Sequence, residues 1–204
     1  MKPKIILAST SSRRAELLKQ IGLEFEVIPS EYEEDMTLKM SHRNLAKTLA
    51  YGKAKDVAGK VKEGIVVGVD TFLIFRRKRI GKPKDSQDAI KILEALSGKT
   101  IRVYSGVAII NCATDKEVID YEITKVKLKK LAHKEIEHYV ATGEPLDKAG
   151  AFAIQGLGAI FISSIKGCYS NVIGLPLHNL YKNLQKFGVD IFDYENIKQE
   201  KLNE

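Results

Sequence analysis

Apolar residues recur along this chain with two periods, and each change of period marks an element. Residues 4–8 (KIILA) are an apolar run of strand length, followed by the small and hydroxylated STSS. Ala15, Leu17, Leu18 and Ile21 then share one face of a helix that Gly22 would end. Phe25 and Val27 alternate with Glu24 and Glu26 in a short strand closed by Pro29, and the acidic EYEED (31–35) begins a loop. Ser41 can cap a helix running to about residue 58. The stretch GIVVGVDTFLIF (64–75) is apolar on both faces, as a central strand is. The basic RRKR (76–79) reads as a turn leading to the loop GKPKD (81–85). A helix over 86–96 follows, with Gly98 as its stop. RVYSGVAII and EVIDYEITKVKL, separated by ATDK, predict a hairpin. A helix over 133–142 stops at Gly143, a glycine-rich loop covers 143–158, AIFISSI reads as a strand, and 177–187 as a last helix. Helical crossovers combined with a hairpin predict an α/β fold with a mixed sheet flanked by helices.

The helix from Ser41 holds a lysine where its pattern calls for an apolar residue. At about 100° per residue from Leu45, Leu49 falls near ~40°, Ala46 near ~100°, Val57 near ~120° and Ala50 near ~140°. Lys53 lands near ~80°, in the middle of that arc, whereas Lys47 and Lys55 point away. A lysine at the rim of an apolar face lifts its ammonium to water, but one at the centre is aimed into whatever the face covers.

A chain of 204 residues suits one well-buried α/β domain, expected over 1–190, with a polar tail over 191–204. The longest apolar stretches fall well short of the roughly 20 residues a membrane helix needs, and no secretory signal pattern opens the chain, so no membrane partner is expected. Cys112 and Cys168 form no metal or redox spacing, and a reducing cytoplasm is the simplest setting. The net charge of +7 raises the prospect of a polyanionic partner, whether nucleic acid or free nucleotide.

Three further placements sharpen that prospect. Asp70 is the one ionisable side chain of the apolar strand 64–75, and a carboxylate there costs several kcal/mol unless it meets a cation or strong donors. Arg13 and Arg14 occupy a first helical turn, where the macrodipole disfavours cations. Helix amides, arginines and the hydroxyls of Ser9, Ser11 and Ser12 together suit an anion. Lys82 between glycine and proline, one of Glu31, Glu33, Glu34 and Asp35, and Gln155 in AIQG are each ambiguous alone. As a set, cations for phosphate oxygens and carboxylates for a divalent cation and for water point to phosphoryl chemistry on a nucleotide. The chain has no GxxxxGK[ST] and no GxGxxG after a strand, and its four histidines offer no HExxH.

At these residues the chain resembles the Maf family of nucleotide pyrophosphatases, once named septum-formation inhibitors. LASTSSRRAELLKQIG, LAYGKA, VVGVDT, GKPKD, LSGKT, TGEPLDKAGAFAIQGLGAIFI and YSNVIGLPL carry the resemblance, in family order, from residue 5 to about 180. It implies an elongated, curved mixed sheet in two lobes with a cleft, an ITPase-like fold, a homodimer, and hydrolysis of a nucleoside triphosphate to the monophosphate and pyrophosphate with Mg²⁺ or Mn²⁺. Carried over by position, Ser9, Arg13, Arg14, Lys53 and Lys82 bind phosphates, Glu34 and Asp70 serve metal and water activation, and Asp70 is the general base. Asp70, Glu34 and Lys53 form the catalytic set, and the double arginine with AIQG resembles the branch acting on dTTP and UTP. In that branch Gln155 can donate to and accept from the edge of uracil or thymine.

The chain departs from the family pattern at Ser12, where proline is usual, at Val69 and Phe72, and at Phe152 and Ala153, where tyrosine and glycine are common. The RRKR turn is more basic than usual, and it supports an alternative expectation, a nucleic-acid- or partner-binding division inhibitor built on Arg76, Arg77, Lys78 and Arg79. The charged set favours the enzyme, with no nucleic-acid partner.

Overall fold

The apolar runs pair into one sheet. The computed structural model describes residues 2–35 and 38–194. The first half of the chain forms β1 (Ile5–Leu7), α1 (Ser12–Gln20), β2 (Glu26–Val27), α2 (His42–Ala58), β3 (Ile65–Phe75), β4 (Lys78–Ile80) and α3 (Ser86–Leu96). The second half forms β5 (Thr100–Asn111), β6 (Lys116–Leu128), α4 (His133–Ala141), β7 (Ile162–Lys166), α5 (Tyr169–Ile173) and α6 (Leu177–Leu184). The strands lie in the order β2-β1-β3-β5-β6-β7, with β4 on β3. β1 runs parallel to β2 and β3, whereas β4 is antiparallel to β3 and β7 to β6, so the sheet is mixed, as expected. β2 ends the sheet with two residues; Val27 is 47% exposed there, and Glu26 pairs with Lys4 at 2.9 Å.

The chain divides into two compact units. The first comprises Met1–Asp70, Ser105–Tyr121 and Gly174–Glu204. Its core joins Ile6, Ala8 and Val66 to Ala50, Ala54 and Val57 of α2 and to Ala108 and Ile110 of β5. α2 lies unusually close to the strands, because glycines face it. A Cβ on Gly68 would sit 2.3 Å from the Ala50 carbonyl oxygen, and one on Gly106 would sit 1.9 Å from that of Ala46. Residues of a strand alternate between faces, so Val66, Gly68 and Asp70 share the side that α2 covers. Ser41 caps α2 by accepting from the Asn44 amide.

The second unit comprises Thr71–Tyr104 and Glu122–Ile173. Its core packs Ala89, Leu93 and Leu96 of α3 with Ile136, Tyr139 and Val140 of α4 and with Val126, Leu128 and Phe161. α3 starts at Asp85, whose carboxylate accepts from the Asp88 amide.

Two local expectations change. RRKR is not a turn throughout: only Arg76 and Arg77 turn, both at positive φ (47° and 68°), and Lys78 and Arg79 belong to β4. Two central residues at positive φ match the right-handed twist of a tight hairpin, and strand pairing from Phe75 to Lys78 outweighs the usual preference for Asn-Gly. The glycine-rich loop is built from 3₁₀ turns at Glu144–Asp147, Ala149–Ala151 and Leu157–Phe161, so the strand after it starts only at Ile162. Of the segment expected as a tail, Ile191–Asp193 forms another such turn, and the buried Tyr194 donates its hydroxyl to the Pro3 carbonyl at 3.0 Å. Residues 195–204 lie outside the described residues. Among the described residues, no helix is long and apolar enough to cross a membrane.

Gly106→Ala is expected to destabilise the protein by about 1–3 kcal/mol in urea unfolding, because backbone stands where the methyl would go. Gly81→Ala, with nothing within 4 Å of the new methyl, should stay within about 0.5 kcal/mol of the parent. Equal stability of all three proteins would contradict the close approach of α2.

Candidate active site

The first part of the site is the turn from β1 into α1. β1 is wholly buried, and the chain leaves the sheet at Ala8, whose amide still bonds to the Val67 carbonyl at 2.9 Å. Buried Ser9 then accepts from the Ser11 amide at 3.2 Å. Ser11 stands at the N-cap of α1 but makes no side-chain cap bond, and no acidic residue lies in the first turn. The end of α1 therefore keeps its positive dipole uncompensated by acid from its own turn.

Arg14 turns back over this loop. Its Nη1 donates to Ser9 Oγ at 2.9 Å and its Nε to the Gly174 carbonyl at 3.0 Å. Burial pushes its pKa below the ordinary value; the carboxylates of Asp70 and Glu34 act against that shift, and the neighbouring charge of Arg13 adds to it. Of the two arginines, Arg14 is thus the one built into the cluster, with Arg13 one helical step away.

The acidic loop is sewn to one face of α2. The Tyr32 ring lies on Gly52, where a Cβ would come within 2.4 Å of it. Four residues further on, Asp56 Oδ2 accepts from the Ser30 hydroxyl at 3.0 Å and the Glu31 amide at 2.8 Å. Just past the end of α2, Lys60 meets Glu31 at 2.6 Å and Asp56 at 3.2 Å. These contacts fix the backbone just before Glu34.

Lys53 is the centre of the arrangement. Its Nζ lies 2.7 Å from Asp70 Oδ1 and 2.6 Å from Glu34 Oε1. The Asp70 side chain is 8% exposed and that of Lys53 15%, so this pair interacts with little screening, whereas Glu34, at 35%, faces outward. The arc arithmetic is borne out: Lys53 projects from among the buried Ala46, Ala50, Ala54 and Val57 onto the strand face that carries Asp70.

One ammonium holding two hard carboxylates, with an arginine, a serine and a helix start beside it, can bind phosphate oxygens and take up a proton. Two carboxylate donors also suit Mg²⁺ or Mn²⁺, which take one or two protein carboxylates and complete their shell with water and phosphate. Among the described residues, no group of three or more His, Cys, Asp or Glu side chains could hold a metal.

Ser9, Arg13, Arg14, Glu34, Lys53 and Asp70 thus all belong to the first unit. Lys82 and Gln155 belong to the second, and both are exposed. Sequence reasoning missed Gly52 and Asp56. Their signal was the four-residue spacing that puts Gly52 and Asp56 on one helical face, which is what a docked loop requires.

The pattern of the family described as Maf-like protein matches residues 4–187. The dTTP/UTP pyrophosphatase of Desulforamulus reducens is 46% identical over 191 residues, covering 94% of this chain and 100% of that protein. The dTTP/UTP pyrophosphatase of Alkaliphilus oremlandii is 48% identical over 178 residues, 87% of this chain and 92% of its own. The solved structure of the Staphylococcus aureus Ham1 protein aligns over 90% of this chain and 99% of its own, with a TM-score of 0.49 and 15% identity.

Asp56 supplies a pH prediction. The Glu31 amide first, then Lys60 and Ser30, outweigh the opposing effect of burial and hold its pKa below the ordinary 3.8. A carboxylate lowered on folding stabilises the protein above its unfolded-state pKa and loses that contribution as pH falls through the folded value. Urea midpoints should therefore fall more steeply below about pH 4 in the parent than in Asp56→Asn. Parallel pH profiles would remove Asp56 as the anchor of the acidic loop.

Proposed function

The chain belongs to the Maf-like protein family, and we propose that it hydrolyses nucleoside triphosphates, dTTP and UTP foremost, to the monophosphate and pyrophosphate. The observation that carries this reading is the Lys53 ammonium shared by Asp70 and Glu34 beside the Arg14–Ser9 pair. A site for phosphate alone needs no acids, and a site for a cation alone needs no arginines. The names of relatives 46% and 48% identical over most of this chain support the same substrates.

In this reading Ser9, the amides at the start of α1, Arg13 and Arg14 receive the phosphates, and the ligand's charge offsets the cost of cations at a helix start. Lys53 holds the Asp70 and Glu34 carboxylates in place through its two ion pairs and joins the phosphate-binding set when a nucleotide binds. Asp70 is the general base: the water oxygen bonds to phosphorus, the water's proton passes to the Asp70 carboxylate, and the α–β anhydride breaks with pyrophosphate as one product. Asp70 and Glu34 are the residues that would hold Mg²⁺ or Mn²⁺, which when bound neutralises phosphate charge and polarises the phosphoryl group. The family resemblance supports assigning Lys82 to phosphate and Gln155, whose amide can both donate and accept, to the edge of uracil or thymine. A homodimer and a part in restraining septum formation belong to the same proposal and rest on the family resemblance, and a cytoplasmic setting rests on the spacing of Cys112 and Cys168.

The basic hairpin does not favour the alternative. The Arg76 guanidinium lies over the Phe75 ring at 5.1 Å and that of Arg79 over Phe72 at 4.8 Å, so both serve the strand surface beneath them.

Incubated with Mg²⁺ or Mn²⁺, the protein should release pyrophosphate from UTP and dTTP. Asp70→Asn should lower kcat by about 10²–10⁴-fold, and Lys53→Ala should raise KM at least severalfold. Release from neither nucleotide would sink the reading, and full rates in both variants would move the chemistry elsewhere.

A further inference from the structure

Glu144 is a carboxylate that the proposed chemistry does not use, yet it is among the most heavily bonded side chains of the second unit. It opens the first 3₁₀ turn of the glycine-rich loop, Glu144–Asp147. Its Oε1 accepts from the Gly158 amide and from the Tyr139 hydroxyl, each at 2.9 Å, and its Oε2 from the Leu157 amide at 2.9 Å. The Tyr139 hydroxyl in turn accepts from the Ala153 amide at 3.3 Å. The backbone on both sides of Gln155 thus hangs, directly or through one phenol, from a single carboxylate.

The glycines around it make this possible. Gly156 stands at φ +84°, and a Cβ there would come within 2.7 Å of Glu144 Oε2. A Cβ on Gly158 would come within 2.5 Å of the Tyr139 hydroxyl. Only glycine combines that backbone conformation with so close a passage to an acceptor. The Tyr139 ring is fixed in turn, edge-on to Phe161 at 4.9 Å between centroids. The charge state agrees with the geometry. Burial works to raise the Glu144 pKa, but the two amides and the phenol outweigh it and hold it below the usual carboxylate range, while burial and the Glu144 charge push the Tyr139 phenol up.

We infer that Glu144 is the positioning residue of the Gln155 loop and thereby a determinant of base specificity, an inference that rests on the base-reading role proposed above for Gln155. A side-chain amide discriminates uracil from cytosine only if its donor and acceptor ends arrive in a set orientation. An exposed glutamine on a glycine-rich segment has no such orientation unless its backbone is held. Two amides and a phenol on one ionised acceptor provide that hold at both ends. The sequence shadow of the device is GEP followed eleven residues after its glutamate by QGLG.

The test compares kcat/KM for UTP and CTP in the full-length protein carrying Glu144→Gln, Glu144→Ala, Gln155→Ala, or Glu144→Ala with Gln155→Ala. The UTP-to-CTP ratio should fall by about tenfold or more in Gln155→Ala and Glu144→Ala, mainly through KM for UTP. The double variant should fall no further than the larger single effect, because both act through one side chain. Glu144→Gln, which keeps one acceptor oxygen and the shape, should lie between parent and Glu144→Ala. Exchange of the Leu157 and Gly158 amides should quicken by about tenfold in Glu144→Gln, whatever the substrate. Equal losses on UTP and CTP in the Glu144 variants, or unchanged exchange at those amides, would overturn the inference. If Gln155→Ala loses discrimination while both Glu144 variants keep it, the inference alone fails. A ratio kept by Gln155→Ala removes the base-reading role and this inference with it.

Discussion

The site depends on how closely α2 can lie on the sheet. Gly68 and Gly106 remove the two Cβ atoms that would stand between the helix backbone and the strands, and Ala46, Ala50 and Ala54 keep the helix side of the contact equally thin. At that separation a lysine in the middle of the helical face cannot reach water by the shortest route and instead spans to the strand. Asp70, two residues beyond Gly68 on the same face, receives it at 2.7 Å. The same packing that buries the carboxylate also supplies its counter-charge, which is the condition under which a buried acid is tolerated.

A second constraint is balance of charge. Lys53 serves two carboxylates, so the inner cluster has an acid in excess until Arg14 is counted, and Arg13 then tips the whole towards positive. Such a set is stable without ligand and still attracts a polyanion. Glu34 is its adjustable member, more exposed than either partner and carried on a loop that Tyr32 and Asp56 tie to α2. A phosphate oxygen arriving at the Lys53 ammonium would compete with Glu34 more easily than with Asp70, because the outward carboxylate has water to return to.

Much of this was legible in the sequence because its signals were local. The helical period alone aims Lys53 inward, and an apolar strand with one acid singles out Asp70. Mixed strand directions followed from combining crossovers with a hairpin. The choice of Glu34 from four neighbouring acids came only from the family resemblance, because it depends on contacts with α2 about twenty residues further along the chain. Glu144 was hidden for a different reason: two of its three direct partners are backbone amides, which leave no residue type to read. Arg76 and Arg77 carried none of the Asn or Gly that announces a tight hairpin, so the turn was drawn too long.

The edge at β2 bears on how the chain survives crowding by its own copies. A long, flat, unpaired strand offers its amides and carbonyls to any passing strand, which is how sheets extend into aggregates. Here the exposed rim is two residues long, with a glutamate engaged by Lys4 beside an uncovered Val27. An incoming segment could form too few bonds there to offset the entropy of ordering itself, and it would have to displace an ion pair first. The parallel part of the sheet, whose central strand is buried on both faces, is thus closed to growth from that side by the brevity of the strand that borders it.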